Sequence, residues 1–416
     1  MTKKVSLDYM FNVMKIIVIN LIIISALSLV SAKEAQVLSF DSLMHKVLLN
    51  STQAAEIKLA TTQTKADAIT AKTLDNPSLQ IDSTANHQQA SDTWSIEIEQ
   101  PLRWSQFGAA QNYAQLLEAT SQLEEKAQLL ALRHSVLRAY INCWLQQEKY
   151  LALAEQLTLI EKQQTAIKQA EEQGKMTRLE VEILAIDLLR MQQQLKAIKL
   201  ETSTAKRELL QMAGLQQQDF IATKIKLQSL PGLAQLTQDL SQDAGAKALL
   251  YKQAELAQSR YNVAKKDASL PEIAPRAIYE KDEDANSSAF LVGLSISLPI
   301  WNRNQGELLR SQAQLELTQT ALKQVNSGSW DAALKYHYQQ AKEWRESSEV
   351  YQQEMLKGWQ SIEDLIIEKF DNGQLAIADL ADFQAQEVEL KMEALEVYTK
   401  AIEASIALET LTGKVL

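Results

Sequence analysis

The chain has 416 residues, of which only 11 are glycine and 6 are proline, and its formal net charge at pH 7 is -10. So few helix-breaking residues predict that most of the chain is helical. The negative charge argues against a nucleic-acid partner. The only cysteine is Cys143, which excludes an intrachain disulfide, and the four scattered histidines show no zinc-site spacing.

Residues 1–32 have the pattern of an export signal. Lys15 precedes an apolar run, Ile16 to Val30, that is followed by Ser31-Ala32, a small-residue cleavage site. The run is short for a membrane span, so a signal peptide is favoured over the alternative of a retained N-terminal anchor. The position of Lys15 leaves three methionines open as the true start: Met1, Met10 and Met14.

A helix and two short strands are predicted to follow. Apolar residues at helical intervals predict a helix over 41–73, capped by Asp41 or Ser42 and stopped at Asn76-Pro77. Alternation of apolar and polar residues then predicts strands at 78–83 and 93–100, joined as a hairpin.

A long helical hairpin comes next. Residues 109–173 contain no glycine or proline, which predicts a helix of about 97 Å. Gly174 offers a reversal point, and a second helix runs from there to Gly214. Its apolar seam has the 3.5-residue period of a coiled coil and consists of Leu184, Leu188, Met191, Leu195, Ile198, Thr202, Ala205 and Leu209. We expect this hairpin to stand away from any globular body.

The same order then restarts after a connector at 215–240. The predicted elements are a helix at 241–268, a strand at 272–279, an acidic link at 280–288, a strand at 290–298 and a long helix at 306–371. Gly328 and Gly358 inside that helix are candidate bends. Gly373 makes the second reversal, and the last helix runs to Gly413.

The two halves form an internal repeat. Adding 199 to each seam position of the first half reproduces a seam in the same register. Its members are Phe383, Glu387, Leu390, Ala394, Val397, Ala401, Ala404 and Leu408. We therefore divide the chain into a signal peptide (1–32), a first repeat (33–214), a connector (215–240) and a second repeat (241–416).

The predicted strands each have one apolar face, and four of them cannot close a barrel. Open sheet edges are not tolerated in lipid, and about eight strands is the smallest outer-membrane barrel. Several copies of the chain would therefore have to share one barrel.

This order of elements resembles the TolC-like outer-membrane efflux proteins. The local matches are Asn76-Pro77, the strand end 99–102, and the run 292–306, which is similar to the LPLFNRNQG signature of the heavy-metal, CzcC-like branch. The resemblance implies a mainly α fold with a small β part, in which two tandem repeats form long coiled-coil hairpins. It also implies a homotrimer with a 12-stranded barrel in outer-membrane lipid and a helical tunnel in the periplasm. The implied partners are a periplasmic adaptor and an inner-membrane RND pump, and the implied cargo is metal cations or other small toxic solutes.

No catalytic motif is present, so the chain is not expected to be an enzyme, and no cofactor is implied. One acidic line runs along the last helix, through Asp379, Asp382, Glu389, Glu393 and Glu396. It has two interpretations, a solvated coiled-coil face or a pore-lining stripe that selects cations. The resemblance implies that Asp379 and Asp382 line the narrow periplasmic mouth, and Glu180 is the matching position in the first repeat.

Three other functions remain as alternatives. A duct of the same fold could serve protein secretion driven by an ABC transporter. A periplasmic adaptor would have one helical hairpin flanked by small β domains, whereas this chain predicts two hairpins, each tied to two amphipathic strands. A purely structural coiled coil would not need the apolar strand at 290–298.

Overall fold

The structure is a computed structural model that describes residues 36–86, 91–174, 176–216, 219–240, 245–283, 285–372 and 374–416. The predicted signal peptide and the reversal residue Gly373 lie outside these ranges. The fold is mainly α with a small β part, as the sequence predicts.

The first helical segment is broken, so the single helix predicted over 41–73 is wrong. After strand β1 (Gln36–Leu38), helix α1 (Phe40–Asn50) ends at Ser51, whose backbone is extended, and helix α2 (Thr52–Lys72) begins. The Ser51 hydroxyl accepts a hydrogen bond from Ala54 N at 3.1 Å, so this serine caps α2 instead of continuing α1. Ser39, rather than Asp41 or Ser42, caps α1.

Strands β2 (Ser78–Asn86) and β3 (Ser91–Glu99) form an antiparallel hairpin. Helix α3 (Ala109–Glu172) then runs for 64 residues, about 96 Å, and helix α4 (Arg178–Met212) returns beside it. The long helix does not stand away from the rest of the molecule, which corrects the expectation. It packs along its length against α2, α4 and the helices of the second half.

The connector contains structure that the sequence pattern does not predict. Strand β4 (Phe220–Ala222) pairs in parallel with β1, and helix α5 (Leu233–Leu240) follows. The hydroxyl of Tyr140, on α3, donates to the Leu38 carbonyl at 2.7 Å and accepts from Thr223 N at 2.8 Å. This fully buried tyrosine therefore joins the two-stranded sheet to the main core.

The second half repeats the order helix, two strands and helices. Its elements are α6 (Gly245–Ser269), β5 (Glu272–Asp282), β6 (Ser287–Ser297), α7 (Gln305–Gln324), α8 (Trp330–Val350), α9 (Leu356–Asp371) and α10 (Ile377–Thr412). The single helix predicted over 306–371 is interrupted by π-helical turns at Val325–Ser329 and Tyr351–Met355. Gly328 has a φ of 86° in the first turn, whereas Gly358 lies inside α9 without interrupting it.

Four strands form one antiparallel sheet in the order β2-β3-β5-β6. Strands β5 and β6 are longer than predicted, and the acidic link expected over 280–288 shrinks to 283–286. Glu280, Lys281 and Asp282 continue the ladder with β6, because exposed charged side chains do not prevent backbone pairing.

Candidate functional site

The sheet carries an apolar face that the described part of the chain leaves uncovered. Residues directly opposite each other in an antiparallel sheet share one face. One row across the four strands is Ile81, Ile96, Tyr279 and Phe290, and the next is Leu79, Ile98, Ala277 and Val292. We call this surface the apolar sheet face, and it comprises these eight residues together with Trp94, Leu294 and Ile296.

The side chains on the apolar sheet face are exposed to an unusual degree. Ile81 is 67% exposed, Phe290 is 70% exposed and Val292 is 77% exposed. Exposed apolar patches of this kind mark surfaces that meet a membrane or another protein. The alternation seen in the sequence of β3 and β6 is therefore a surface feature, not a core pattern.

The opposite face of the sheet is polar. The row through Ser78 continues with Glu99, Arg276 and Gly293, which are small or charged. Arg276 Nη1 lies 3.5 Å from Glu97 Oε1. The side chain of Arg276 crosses Gly293 so closely that a Cβ there would lie 2.9 Å from Nε. The sheet is thus two-sided, apolar on one face and charged on the other.

The first helical reversal places Glu180 in a capping box. Gly174 has a φ of 67°, the left-handed conformation that glycine adopts at helix ends. Glu180 Oε2 accepts from Thr177 N at 2.6 Å and from Thr177 Oγ1 at 2.8 Å. These hydrogen bonds hold the pKa of the Glu180 carboxyl below its ordinary value. The Thr-x-x-Glu pattern is a sequence signal for this cap that the sequence analysis missed.

The second reversal lacks this cap. Helix α10 begins after Ala376, which has no side chain able to cap it, and Asp379 lies in the first turn. Asp379 and Asp382 are both exposed. Ala376 and Asp379 are the repeat equivalents of Thr177 and Glu180, so the two hairpins begin their return helices differently.

Asp382 lines a groove between α3, α4 and α10, whereas Asp379 and Glu180 are not part of its lining. The groove has a volume of about 570 Å³. Its lining includes the seam residues Leu188 and Met191 of α4, together with Arg190 and Glu389.

The acidic line on α10 is partly neutralised within the chain. Glu396 lies 3.6 Å from Lys149 of α3, and Glu393 accepts a hydrogen bond from the Tyr351 hydroxyl at 3.2 Å. All five acidic residues of the line are exposed. The corresponding line of α4 contains the close ion pair of Asp187 with Arg190.

A buried polar cluster lies where α3, α8 and α10 meet, and the sequence analysis missed it. Glu409 accepts from Arg133 at 3.1 Å, from His134 at 2.8 Å and from the Leu416 backbone at 2.9 Å. Arg345 donates to Ser405 and to the Gln228 carbonyl of the connector, and burial lowers the pKa of its guanidinium. No periodic signal marks such a cluster, because its members are far apart in the sequence. The Thr410 hydroxyl lies 3.4 Å from His134 Nδ1, and the cluster links α3, α8, α10 and the connector.

The described part of the chain contains neither a metal-binding cluster nor a membrane-spanning helix. No group of three or more His, Cys, Asp or Glu side chains there could hold a metal ion. In the same residues, no helix combines the length and the apolar character needed to cross a bilayer. Cys143 is buried, and burial raises the pKa of its thiol to about 11.

Comparisons with known proteins define the fold. No protein-family model and no curated protein sequence matches the chain. Solved structures do match it at low sequence identity. The outer-membrane protein VceC of Vibrio cholerae superposes with a TM-score of 0.68 and 15% identity, covering 90% of this chain and 96% of that one. The CmeC outer-membrane channel of Campylobacter jejuni superposes with a TM-score of 0.69 at 12% identity. The match covers 90% of this chain and 85% of the CmeC chain.

A third match is the open state of the MtrE outer-membrane channel of Neisseria gonorrhoeae. It gives a TM-score of 0.68 at 13% identity and covers 91% of this chain and 89% of that one. The chain therefore has the fold of outer-membrane channel proteins over nearly its whole length.

Proposed function

We propose that this chain is one subunit of a homotrimeric outer-membrane duct that serves as the exit of a tripartite efflux system. The observation that carries the proposal is the apolar sheet face, exposed on a fold shared with outer-membrane channels. Lipid is the environment in which such a face is stable, because burying apolar side chains away from water is favourable.

The sheet edges argue for more than one copy. Strands β2 and β6 are the two edges of the sheet, and among the described residues each pairs with a single neighbouring strand. In lipid, the free backbone groups of both edges need partners. If β6 of one copy pairs with β2 of the next, three copies close a barrel of twelve strands, which is within the range of bacterial barrels.

The height of the apolar sheet face is comparable to that of an outer-membrane barrel. On β6 the face runs from Phe290 to Ile296, and Trp94 of β3 extends it by one row beyond Phe290. The eight steps along the strand that these rows span cover about 26 Å, or about 19 Å of height at a tilt of roughly 45°. The Trp94 and Tyr279 rings lie 5.6 Å apart at this end. Outer-membrane barrels typically carry an apolar band of about 25 Å flanked by aromatic side chains, so this face accounts for most of such a band.

The polar sheet face and the helices then form the duct. With the apolar sheet face in lipid, Glu97, Glu99 and Arg276 point into the barrel. The division into a signal peptide (1–32), two repeats (33–214 and 241–416) and a connector (215–240) fits a barrel continued by a periplasmic helical tunnel. In this arrangement Asp379 and Asp382 line the periplasmic mouth, and Glu180 lies at the matching level.

The partners and the cargo follow from the resemblance of residues 292–306 to the CzcC-like signature. We propose that the duct docks with a periplasmic adaptor and an inner-membrane RND pump. Its cargo would be metal cations or other small toxic solutes. Acidic side chains at the mouth suit cations, because rings of carboxylates select them.

The test of this proposal is the state of the full-length protein expressed in a Gram-negative host. We expect it in outer-membrane fractions, and we expect light scattering after detergent extraction to give a trimer that heat dissociates. A monomer in the soluble periplasmic fraction would contradict the proposal.

A further inference from the structure

A cavity of about 580 Å³ lies between helices α3 and α10 and the residues that follow strand β4 in the connector. We call it the connector cavity. Its lining includes Trp144 and Glu148 of α3, Tyr398 of α10 and Lys224 of the connector. It shares no lining residue with the groove that Asp382 lines. The volume is in the range of sites that hold small organic molecules.

The floor of the connector cavity is aromatic and fixed in position. Trp144 and Tyr398 are both buried, and their rings meet edge to face with centroids 5.0 Å apart. The Tyr398 hydroxyl donates a hydrogen bond to the Ile225 carbonyl, which ties the ring to the connector. Because these side chains are already ordered, a ligand that packs on them costs little conformational entropy.

Two opposite charges face the cavity above this floor. Glu148 follows Trp144 by one helical turn, and the Lys224 ammonium lies 4.8 Å from the centre of the Tyr398 ring. Partial burial raises the pKa of the Glu148 carboxyl, and the attraction of Lys224 offsets only part of this rise. The Glu148 carboxylate is therefore incompletely compensated within the chain, and a cationic group beside it would be stabilised.

The other charges that line the cavity are engaged with each other. Lys391 Nζ lies 3.3 Å from a carboxylate oxygen of Glu155, which also lines the cavity. The same ammonium lies 2.7 Å from a Glu387 oxygen. These ion pairs join α3 to α10 and leave Glu148 and Lys224 as the charges that a ligand can meet.

The remaining wall comes from the second π-helical turn, Tyr351–Met355. Gln352 of this turn and Leu356 directly after it line the cavity. The Tyr351 hydroxyl donates to Glu393 of α10 at 3.2 Å, which holds the turn against that helix. Single π-helical turns inside α-helices occur frequently at functional sites. Here the turn brings a side-chain amide to the cavity wall.

This combination fits a ligand with both charges better than a simple cation or anion. A lone cation would be attracted by Glu148 but repelled by Lys224, and a lone anion would meet the reverse. A ligand with an ammonium and a carboxylate can pair with both residues, while an apolar body packs on Trp144 and Tyr398.

We propose that the connector cavity binds a small zwitterion of the amino-acid class with an aromatic or large apolar side chain, through Glu148 and Lys224. The site lies within one chain, so this inference does not rest on the proposed function or on assembly of the trimer.

The experiment is isothermal titration calorimetry of the full-length protein, purified in detergent, with three probes that share a phenyl group. L-phenylalanine carries both charges, phenethylamine only the ammonium and phenylpropionate only the carboxylate. We expect L-phenylalanine to bind at least about tenfold more tightly than either single-charge probe, because each charged hydrogen bond adds to the affinity.

Four variants locate the heat of binding. Glu148→Gln and Lys224→Met should each weaken L-phenylalanine binding by about tenfold. The matched controls Glu161→Gln, on α3, and Lys226→Met, in the connector, remove exposed charges that do not line the cavity and should leave it unchanged.

Three results would overturn the proposal. They are no heat from any probe at millimolar concentration, equal affinity for L-phenylalanine and a single-charge probe, and unchanged binding in Glu148→Gln and Lys224→Met. If a variant fails to fold, the comparison of the three probes on the wild-type protein still decides. None of these results bears on membrane location or trimer formation, which are measured separately.

Discussion

Two adjacent residues of β6 test the assignment of the sheet faces. Val292 lies on the apolar sheet face, and Leu291 lies on the polar face in the same row as Glu97. We expect Val292→Lys to impair trimer assembly, because a lysine near the bilayer midplane costs about 2–4 kcal/mol per strand. Leu291→Lys makes the same kind of change one residue away and should assemble. Electrophoresis of unheated samples reports the trimer, and equal assembly of both variants contradicts the assignment.

Glu180 makes the stability of the first hairpin turn dependent on pH. Its pKa is depressed in the folded protein, so the ionised carboxylate stabilises the turn above the ordinary value near 4.5. This contribution is lost as the pH falls through the lower, folded pKa. We expect hydrogen-exchange protection of the first turn of α4, corrected for intrinsic rates, to fall on acidification. The variant Glu180→Gln should start with less protection and show little of this fall. An unchanged acid response in that variant would argue against the cap.

Helix α3 packs against α4 and α10 with different amounts of charge at the contact. Toward α4 the contact is mainly apolar, and Ala205 and Leu209 are buried with Val136 of α3 in one core. Toward α10 the same core continues through Ile402 and Ile406, and ion pairs flank it. The four ion pairs are Glu155–Lys391, Lys149–Glu396, Arg138–Glu403 and Arg133–Glu409. Glu409 is buried, but in each of the other three pairs at least one side chain is more than half exposed, and such pairs are screened by salt. The α3–α10 contact is therefore the more salt-sensitive of the two.

The uncapped start of α10 offers a direct test of how the two hairpins differ. Ala376→Thr places a hydroxyl where Thr177 stands in the first repeat, and the cap should stabilise the first turn by about 1 kcal/mol. We expect slower hydrogen exchange at residues 378–380. Thr177→Ala is the matched control and should speed exchange at residues 179–181. If neither changes exchange at its own turn, capping does not set the local stability of the hairpins.

In the proposed trimer, Asp379 and Asp382 of three copies would place six aspartates at the periplasmic mouth of the duct. Crowded carboxylates attract cations and repel anions. We expect Asp379→Asn with Asp382→Asn to lower the cation preference, measured as reversal potential in a KCl gradient across a planar bilayer. The control, Glu56→Gln with Asp67→Asn, removes two exposed charges from α2. Equal selectivity in wild type and the aspartate variant would show that these residues do not line the pore.

Local patterns in the sequence suffice to predict the longest helix and the apolar strand faces. The absence of glycine and proline over 109–173 and the alternation in β6 are local patterns, and each fixes its element without help from distant residues. Local patterns also misplace details, since the apolar periodicity over 41–73 continues through Ser51, although serine favours a cap and Ser51 caps α2.

Contacts between distant segments depend on tertiary packing and cannot be predicted from local patterns. The pairing of β1 with β4 joins three residues to a strand about 180 positions later, and neither segment is long enough to show a period. His134 and Glu409 are separated by 275 residues, so no spacing could have linked them. Buried polar groups need hydrogen-bond partners, and the packing of the helices determines which partners are near. Local periodicity in the sequence does not predict that packing.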